Sequence, residues 1–137
     1  MRTLHVGLRV ADLEQSIAFY TGVGYEVIGS VPETALGHLT MLKLPGDEFV
    51  TIELVHDPHG RIDTGTGLSH FVIKVESLAA TINELAGRGI DAEEPLSPDG
   101  SGDFLTTWIV DPDGNRIELV QWPAGHPDGI TATDWVD

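Results

Sequence analysis

The sequence predicts an α+β fold built from two copies of one βαβββ unit, and two observations lead to this prediction. Residues 52–55 read Ile-Glu-Leu-Val, and the same four letters return at residues 117–120, a shift of 65 positions (117 − 52) that also carries His5 onto His70. Apolar residues alternate over several short stretches and recur at helical spacing over two others, which is typical of strands mixed with helices. A repeat at one fixed period indicates two structural copies. Their apolar faces would be buried if the first and fourth strands of each copy were neighbours and the copies closed around a shared hollow.

The first unit begins with a strand and a short helix. Residues 3–10 alternate apolar and polar side chains, the period of a strand with one apolar face. Asp12 is a favourable helix N-cap, and Gly22 supplies a stop one helix length later. Three further strands are predicted over residues 25–31, 38–44 and 49–56, with turn-forming Pro and Gly residues between them.

The second unit repeats this order after a linker predicted over residues 57–67, where Pro, Gly, Asp and Thr dominate. Ser77 caps a helix that Gly87 closes, and Asp111–Gly114 is a tight turn between antiparallel strands. The strands of this unit are predicted over residues 68–75, 90–96, 104–110 and 115–122. The chain is thus expected to be a single domain of 137 residues, divided into module 1 (1–60), module 2 (66–122) and a C-terminal tail (123–137).

Composition excludes several classes of function. The 22 Asp and Glu residues against 7 Lys and Arg give a formal charge of −15, which repels phosphate backbones and anionic membranes, so neither is an expected partner. The chain has no cysteine, so disulfides and thiolate chemistry are excluded. Because no long apolar run is present, we expect a soluble, cytoplasmic protein.

Four residues are candidate metal ligands because the repeat places them at matched positions. His5 and Glu53 are separated by 47 residues, and so are His70 and Glu118. Each Glu interrupts an otherwise apolar strand, where a carboxylate must face solvent, be paired or bind a cation. If the polar face of its strand were simply exposed to solvent, that would explain any one of these four residues alone. Two imidazoles and two carboxylates together make a competent site for a divalent ion.

A His2Glu2 set would leave two octahedral positions open for waters or substrate oxygens. This arrangement suits Lewis-acid chemistry in which a nearby carboxylate moves a proton. The chain contains no thiolate, so isomerisation by proton abstraction beside a carbonyl is the reaction class that we expect.

Several motifs resemble the glyoxalase I branch of the vicinal oxygen chelate superfamily. They are residues 1–10 with Asp12-Leu13, Ser16-Ile17-Ala18-Phe19-Tyr20-Thr21, Ile52-Glu53-Leu54, Ser69-His70, and Asp111-Pro112-Asp113-Gly114 followed by Ile117-Glu118-Leu119. The resemblance covers about residues 1–121 and leaves the tail outside.

The resemblance implies paired βαβββ modules that form a cupped mixed sheet around a metal site, with His5, Glu53, His70 and Glu118 as ligands. It implies isomerisation of the hemithioacetal of methylglyoxal and a thiol to a 2-hydroxyacyl thioester, the reaction of a lactoylglutathione lyase in methylglyoxal detoxification. Glu118 would be the base and Glu53 its counterpart across the metal. Short bacterial-type members form homodimers and often favour nickel or cobalt, with zinc also possible.

Departures from the family pattern concern the substrate. Arg9 occupies the place of an arginine that contacts the glutathione carboxylate in the family, but Asp57 replaces the family's asparagine. Asp99 and Asp103 stand in a loop where basic residues are expected. These acids would meet an anionic tripeptide, so a less acidic thiol than glutathione is the hypothesis they motivate. Lys74 occupies the place in module 2 that Arg9 has in module 1.

Two other functions on the same scaffold are the alternatives. The first is another metal enzyme, such as an acyl-CoA epimerase or an extradiol dioxygenase; Glu53 counts against both, because epimerases usually carry Gln there and the dioxygenases use three ligands. The second is a metal-free protein that sequesters an antibiotic or another small molecule. Such members generally lose the ligand set, whereas this sequence retains all four residues.

Overall fold

The computed structural model describes residues 1–60, 62 and 67–135, which fall into two units, one of Met1–Gly67 with Asp111–Gly114 and one of Leu68–Val110 with Asn115–Asp137. In chain order the elements are β1 (Val6–Arg9), α1 (Leu13–Val23), β2 (Glu26–Thr34), β3 (Gly37–Lys43), β4 (Ile52–His56), β5 (His70–Lys74), α2 (Leu78–Ala86), β6 (Leu105–Val110), β7 (Arg116–Gln121) and a 3-10 turn, Ala132–Trp135. The predicted linker over 57–67 includes residues 61 and 63–66, which lie outside the described residues.

The first unit is a four-stranded mixed sheet in the order β1-β4-β3-β2. β1 pairs with β4 in parallel, with Gly7 opposite Glu53, and the other pairings are antiparallel. This order confirms the prediction that the first and fourth strands are neighbours. The parallel pairing of β1 with β4 requires a crossover, and α1 provides it by returning the chain across the sheet before β2 begins.

The second unit is a three-stranded sheet in the order β5-β7-β6, again with a parallel pair formed by its first and last strands. The strand predicted over residues 90–96 is wrong, since a single bridge from Leu96 to Thr106 is what this segment forms. Next to this bridge, Glu93 N instead of Glu94 N donates a hydrogen bond to the Trp108 carbonyl oxygen at 2.9 Å, and the Glu93 carbonyl oxygen accepts one from Thr107 Oγ1 at 2.6 Å. These two features interrupt the ladder that an edge strand would need.

Both helices begin at their predicted caps. Asp12 Oδ1 accepts a hydrogen bond from Gln15 N at 3.0 Å, and Ser77 Oγ accepts one from Ala80 N at 3.3 Å. The predicted stop of α1 at Gly22 is wrong by two residues. α1 ends at Val23 and is capped by Gly24, whose φ of +129° is a conformation that side chains disfavour.

The core follows the strand alternation. Leu42 and Leu54 are fully buried in the first unit, and Ile117 and Leu119 are buried in the second. Glu53 and Glu118 fall between such residues in sequence and therefore point to the opposite face of their sheets. None of the helices within the described parts of the chain is long and apolar enough to cross a membrane.

A tight turn that follows β6 belongs to the first unit. Tyr20 on α1 is fully buried, and its Oη donates to Asp111 Oδ2 at 2.6 Å; Asp111 is itself only 4% exposed. Asp113 accepts from Ala11 N at 3.1 Å and from Ser16 Oγ at 3.4 Å. The turn Asp111–Gly114 thus supplies acceptors for α1, through Ser16 and Tyr20, and for Ala11, which precedes the helix.

Candidate functional site

The first unit places His5 and Glu53 in contact. Glu53 lies opposite Gly7 in the parallel pair of β1 and β4, and His5 precedes Gly7 by two residues, so the two side chains share one face. His5 Nε2 is 3.3 Å from Glu53 Oε2. Glu53 is the more enclosed partner, with 13% of its side chain exposed against 40% for His5. The pair is therefore open to solvent from the histidine side.

The second unit repeats this register. Glu118 lies opposite Val72 in the parallel pair of β5 and β7, and His70 precedes Val72 by two residues. His70 and Glu118 therefore hold the positions in the second sheet that His5 and Glu53 hold in the first. The equivalence predicted from the shift of 65 positions is thus a structural equivalence of strand, face and register.

His70 has two neighbours that were not predicted as functional residues. Ser69 Oγ lies 2.9 Å from His70 Nδ1, and the indole of Trp108 meets the imidazole edge-to-face with centroids 5.0 Å apart. Trp108 lies directly opposite Glu118 in the pairing of β6 with β7. The period-2 alternation of β6 could have placed Trp108 on this face, but only the register puts it beside Glu118.

The donor set of each pair fits a divalent transition metal, because imidazole nitrogens and carboxylate oxygens are accepted by nickel, cobalt and zinc alike. Among the described residues, no group of three or more His, Cys, Asp or Glu side chains is arranged to hold a metal ion. What each unit offers by itself is one His and one Glu. The convergence of both pairs on one ion stays a prediction.

The residues predicted to bind substrate, Arg9 and Asp57, lie at the ends of β1 and β4. Arg9 is exposed at the last position of β1, opposite Val55, and among the described residues it forms no ion pair. Asp57 follows β4, where its Oδ1 accepts a hydrogen bond from His59 N at 2.9 Å and forms a turn.

Lys74, the counterpart of Arg9, differs in its charge environment. Its Nζ donates to Asp128 Oδ1 at 2.8 Å and to Glu76 Oε1 at 2.7 Å. The hydrogen bond to Asp128, followed by that to Glu76, raises the pKa of Lys74. Two carboxylates therefore compensate its charge, so Arg9 is the better candidate to bind an anionic group of a substrate.

A comparison with protein families decides the relationship. The model described as "Glyoxalase/Bleomycin resistance protein/Dioxygenase superfamily" matches residues 2–119. The chain belongs to this superfamily. The resemblance inferred from the motifs is confirmed at this level.

Individual members of the superfamily are moderately similar to the chain. It is 31% identical over 125 residues to "Lactoylglutathione lyase" of Salmonella typhimurium, covering 88% of this chain and 93% of that protein. It is 31% identical over 125 residues to "Probable lactoylglutathione lyase, chloroplastic" of Arabidopsis thaliana, again 88% of this chain, but spans only 35% of that longer relative. The solved structure of the trypanothione-dependent glyoxalase I of Leishmania major is 27% identical, with a TM-score of 0.70, and the match covers 88% of this chain and 86% of that one.

Asp99 and Asp103, the two acidic residues predicted to lie near the substrate, have different surroundings. Asp99 Oδ1 accepts hydrogen bonds from Ser101 N at 3.0 Å and Ser101 Oγ at 2.7 Å. Both contacts lower the pKa of Asp99, and the hydrogen bond from the Ser101 backbone N–H has the larger effect. Asp99 therefore stabilises the loop itself. Asp103 instead lines a cavity of about 530 Å³ in the second unit, together with Lys74, Glu76, Gln121, Trp122 and His126.

The tail beyond β7 is held by an aromatic stack. Trp122 stacks on Phe104 at 5.0 Å and on His126 at 4.3 Å. His126 Nδ1 lies 2.7 Å from the Pro127 carbonyl oxygen and Nε2 lies 2.6 Å from Asp134 Oδ1; these contacts, in that order, raise the pKa of His126. Trp135, at the end of the 3-10 turn, is 78% exposed in this chain.

Proposed function

We propose that this superfamily member is a glyoxalase I-like, metal-dependent isomerase that converts the hemithioacetal of methylglyoxal and a thiol into a 2-hydroxyacyl thioester. The observation that carries the proposal is the identical placement of His5 with Glu53 and of His70 with Glu118 in the two sheets. The similarity to the lactoylglutathione lyase of Salmonella typhimurium supports the same reaction.

The four side chains would hold one divalent ion, with nickel or cobalt favoured and zinc possible. When bound, the ion would supply Lewis acidity to two oxygens of the substrate. Glu118 would accept the proton from the carbon that bears the sulfur and return it to the neighbouring carbon, while the hydroxyl proton of the hemithioacetal moves to the other oxygen. The reaction is then an internal redox rearrangement with no external oxidant. Glu53 would be a ligand of the ion and the counterpart of Glu118 in the first unit.

The thiol compound is proposed to be less acidic than glutathione, in the sense that it carries less negative charge. Arg9, exposed and without an ion pair among the described residues, would bind a carboxylate of the thiol, whereas Asp57 and Asp103 would repel further negative charge. The trypanothione-dependent relative from Leishmania major indicates that use of another thiol is compatible with this fold.

Turnover of hemithioacetals by reconstituted protein tests the function and the thiol together. Metal-free protein is loaded separately with nickel, cobalt or zinc and assayed at equal hemithioacetal concentration with methylglyoxal and either glutathione or its monoethyl ester, which keeps one carboxylate for Arg9. We expect turnover only with metal, and a lower kcat/KM for glutathione than for the ester. Efficient use of glutathione would remove the thiol proposal, and no turnover with any thiol and metal would overturn the function.

The assembly is proposed to be a homodimer of the 14.7 kDa chain. β2 is an edge strand whose apolar side chains Val27, Ile28 and Val31 are each more than two-fifths exposed, as is expected of a surface that associates. Sedimentation equilibrium at micromolar concentration should give the mass of two chains. A monomer under those conditions would contradict this proposal and leave the reaction untouched.

A further inference from the structure

Trp108 bridges the whole sheet of the second unit. It projects from β6, and the imidazole it contacts belongs to β5, with β7 between them. The indole therefore crosses the central strand, on the face that carries Glu118. No other aromatic ring is in contact with His70 within the described residues.

Arg116 fixes the indole in this position. Its Cζ lies 4.2 Å from the centroid of the Trp108 ring, a close cation–π contact. Its Nη2 donates to both carboxylate oxygens of Glu93, at 3.1 and 3.3 Å. Arg116 is thus held over the ring by a carboxylate and cannot swing away without losing two hydrogen bonds.

Glu93 is in turn attached to the backbone of Trp108. The Glu93 N–H donates a hydrogen bond to the Trp108 carbonyl oxygen at 2.9 Å, and the Glu93 carbonyl oxygen accepts one from Thr107 Oγ1. Glu93, Arg116 and Trp108 therefore form a closed ring of contacts. Through this ring, residues 90–96 are attached to β6 although they form no regular strand.

The first unit holds its histidine differently. Met41, a flexible side chain, lies opposite Glu53 where Trp108 lies opposite Glu118. His5 is in direct contact with Glu53, whereas in the described part of the second unit no ion pair joins His70 to Glu118. His70 therefore depends on Ser69 and Trp108 for its orientation. Because Ser69 occupies Nδ1, Nε2 is the nitrogen that remains for a metal.

We propose that Trp108 is a positioning residue for His70: the indole, clamped by Arg116 and Glu93, holds the imidazole in the orientation that a metal ion requires. The role rests on the proposed function, because His70 is a ligand only there. Groups that orient a ligating histidine commonly change metal affinity by about 10–100-fold when they are removed.

Variants of the 137-residue chain test this role in two measurements. NMR of metal-free protein follows the imidazole signal of His70, assigned by its loss in His70→Asn, and calorimetry gives the nickel affinity. In Trp108→Leu the signal should move toward that of an exposed histidine and nickel should bind about 10–100-fold more weakly. Trp108→Phe should restore most of both. Trp122→Leu, which removes an indole of the same unit away from His70, is the matched control and should change neither.

Glu93→Gln provides a milder variant should Trp108→Leu fail to fold, because Glu93 lies at the surface and its loss only releases Arg116. It should shift the His70 signal in the same direction and weaken nickel binding by less. A nickel affinity in Trp108→Leu or Glu93→Gln equal to that of Trp122→Leu would overturn the role of Trp108 and leave the proposed function standing. A wild-type protein that binds no nickel, cobalt or zinc would instead overturn the proposed function.

Discussion

Replacing Glu118 by glutamine is expected to preserve the fold and to lower kcat by about 10²–10⁴-fold. Glutamine has nearly the shape of glutamate, and the flanking Ile117 and Leu119 that anchor β7 in the core are unchanged. An amide cannot accept the substrate proton, so the loss should fall on kcat. The measurement is kcat at saturating hemithioacetal, with protein fully loaded with nickel so that weaker metal binding does not contribute.

Glu84→Gln is the matched control for this substitution. Glu84 is exposed on α2, and the same change of charge there should leave kcat unaltered. Glu53→Gln separates the two ligand positions and should cost less than Glu118→Gln if Glu118 alone moves the proton. A fully loaded Glu118→Gln protein within tenfold of wild-type kcat would show that Glu118 is not the base.

Replacing Tyr20 by phenylalanine is expected to lower the free energy of unfolding at neutral pH by about 1.5–3 kcal/mol, the usual contribution of a buried hydrogen bond to a charged group. The Tyr20 hydroxyl donates at 2.6 Å to Asp111, and both residues are almost completely buried. Urea unfolding of both proteins measures the difference. Tyr25→Phe is the control, since Tyr25 is buried beside Tyr20 but has no hydrogen bond to a carboxylate among the described residues.

The contribution of Tyr20 should also depend on pH. Burial, and next the hydrogen bond to Asp111, raises the pKa of Tyr20 far above its ordinary value of 10.0. The folded protein then keeps Tyr20 neutral while the unfolded chain ionises it, so this stability is complete below about pH 10 and is lost as the pH rises further. The difference between wild type and Tyr20→Phe should therefore shrink above pH 10. Equal stability of Tyr20→Phe and Tyr25→Phe at neutral pH would argue against the Asp111 bond.

The repeat made the topology predictable, because one offset fixes both the order of elements and the matched ligands. Asp12 and Ser77 identified the helix starts, since capping depends on local sequence alone. The end of α1 was missed because two glycines lie two residues apart, and which of them takes positive φ depends on the packing of the next strand. The strand over residues 90–96 was wrongly predicted because a one-residue shift in its pairing with β6 and the hydrogen bond from Thr107 Oγ1 to the Glu93 carbonyl oxygen interrupt the ladder, and the alternation of apolar residues indicates neither.

The candidate site was predictable as a set of residues and not as an arrangement. His5 and Glu53 could be paired in advance because the same spacing recurs at His70 and Glu118. The neighbours of His70 could not, because contact between Trp108 and His70 follows from the register of three strands. The acceptor for Tyr20 was hidden for the same reason, as Asp111 lies 91 residues further along the chain.

The turn Asp111–Gly114 has a consequence for any attempt to divide the protein. A fragment ending at residue 67 would contain α1 and every strand of the first sheet, yet the Tyr20 hydroxyl and the Ala11 amide would lack the acceptors that they have in the whole chain. The duplicated halves are alike in sequence pattern, yet the first half takes two of its hydrogen-bond acceptors, Asp111 and Asp113, from the second half of the sequence.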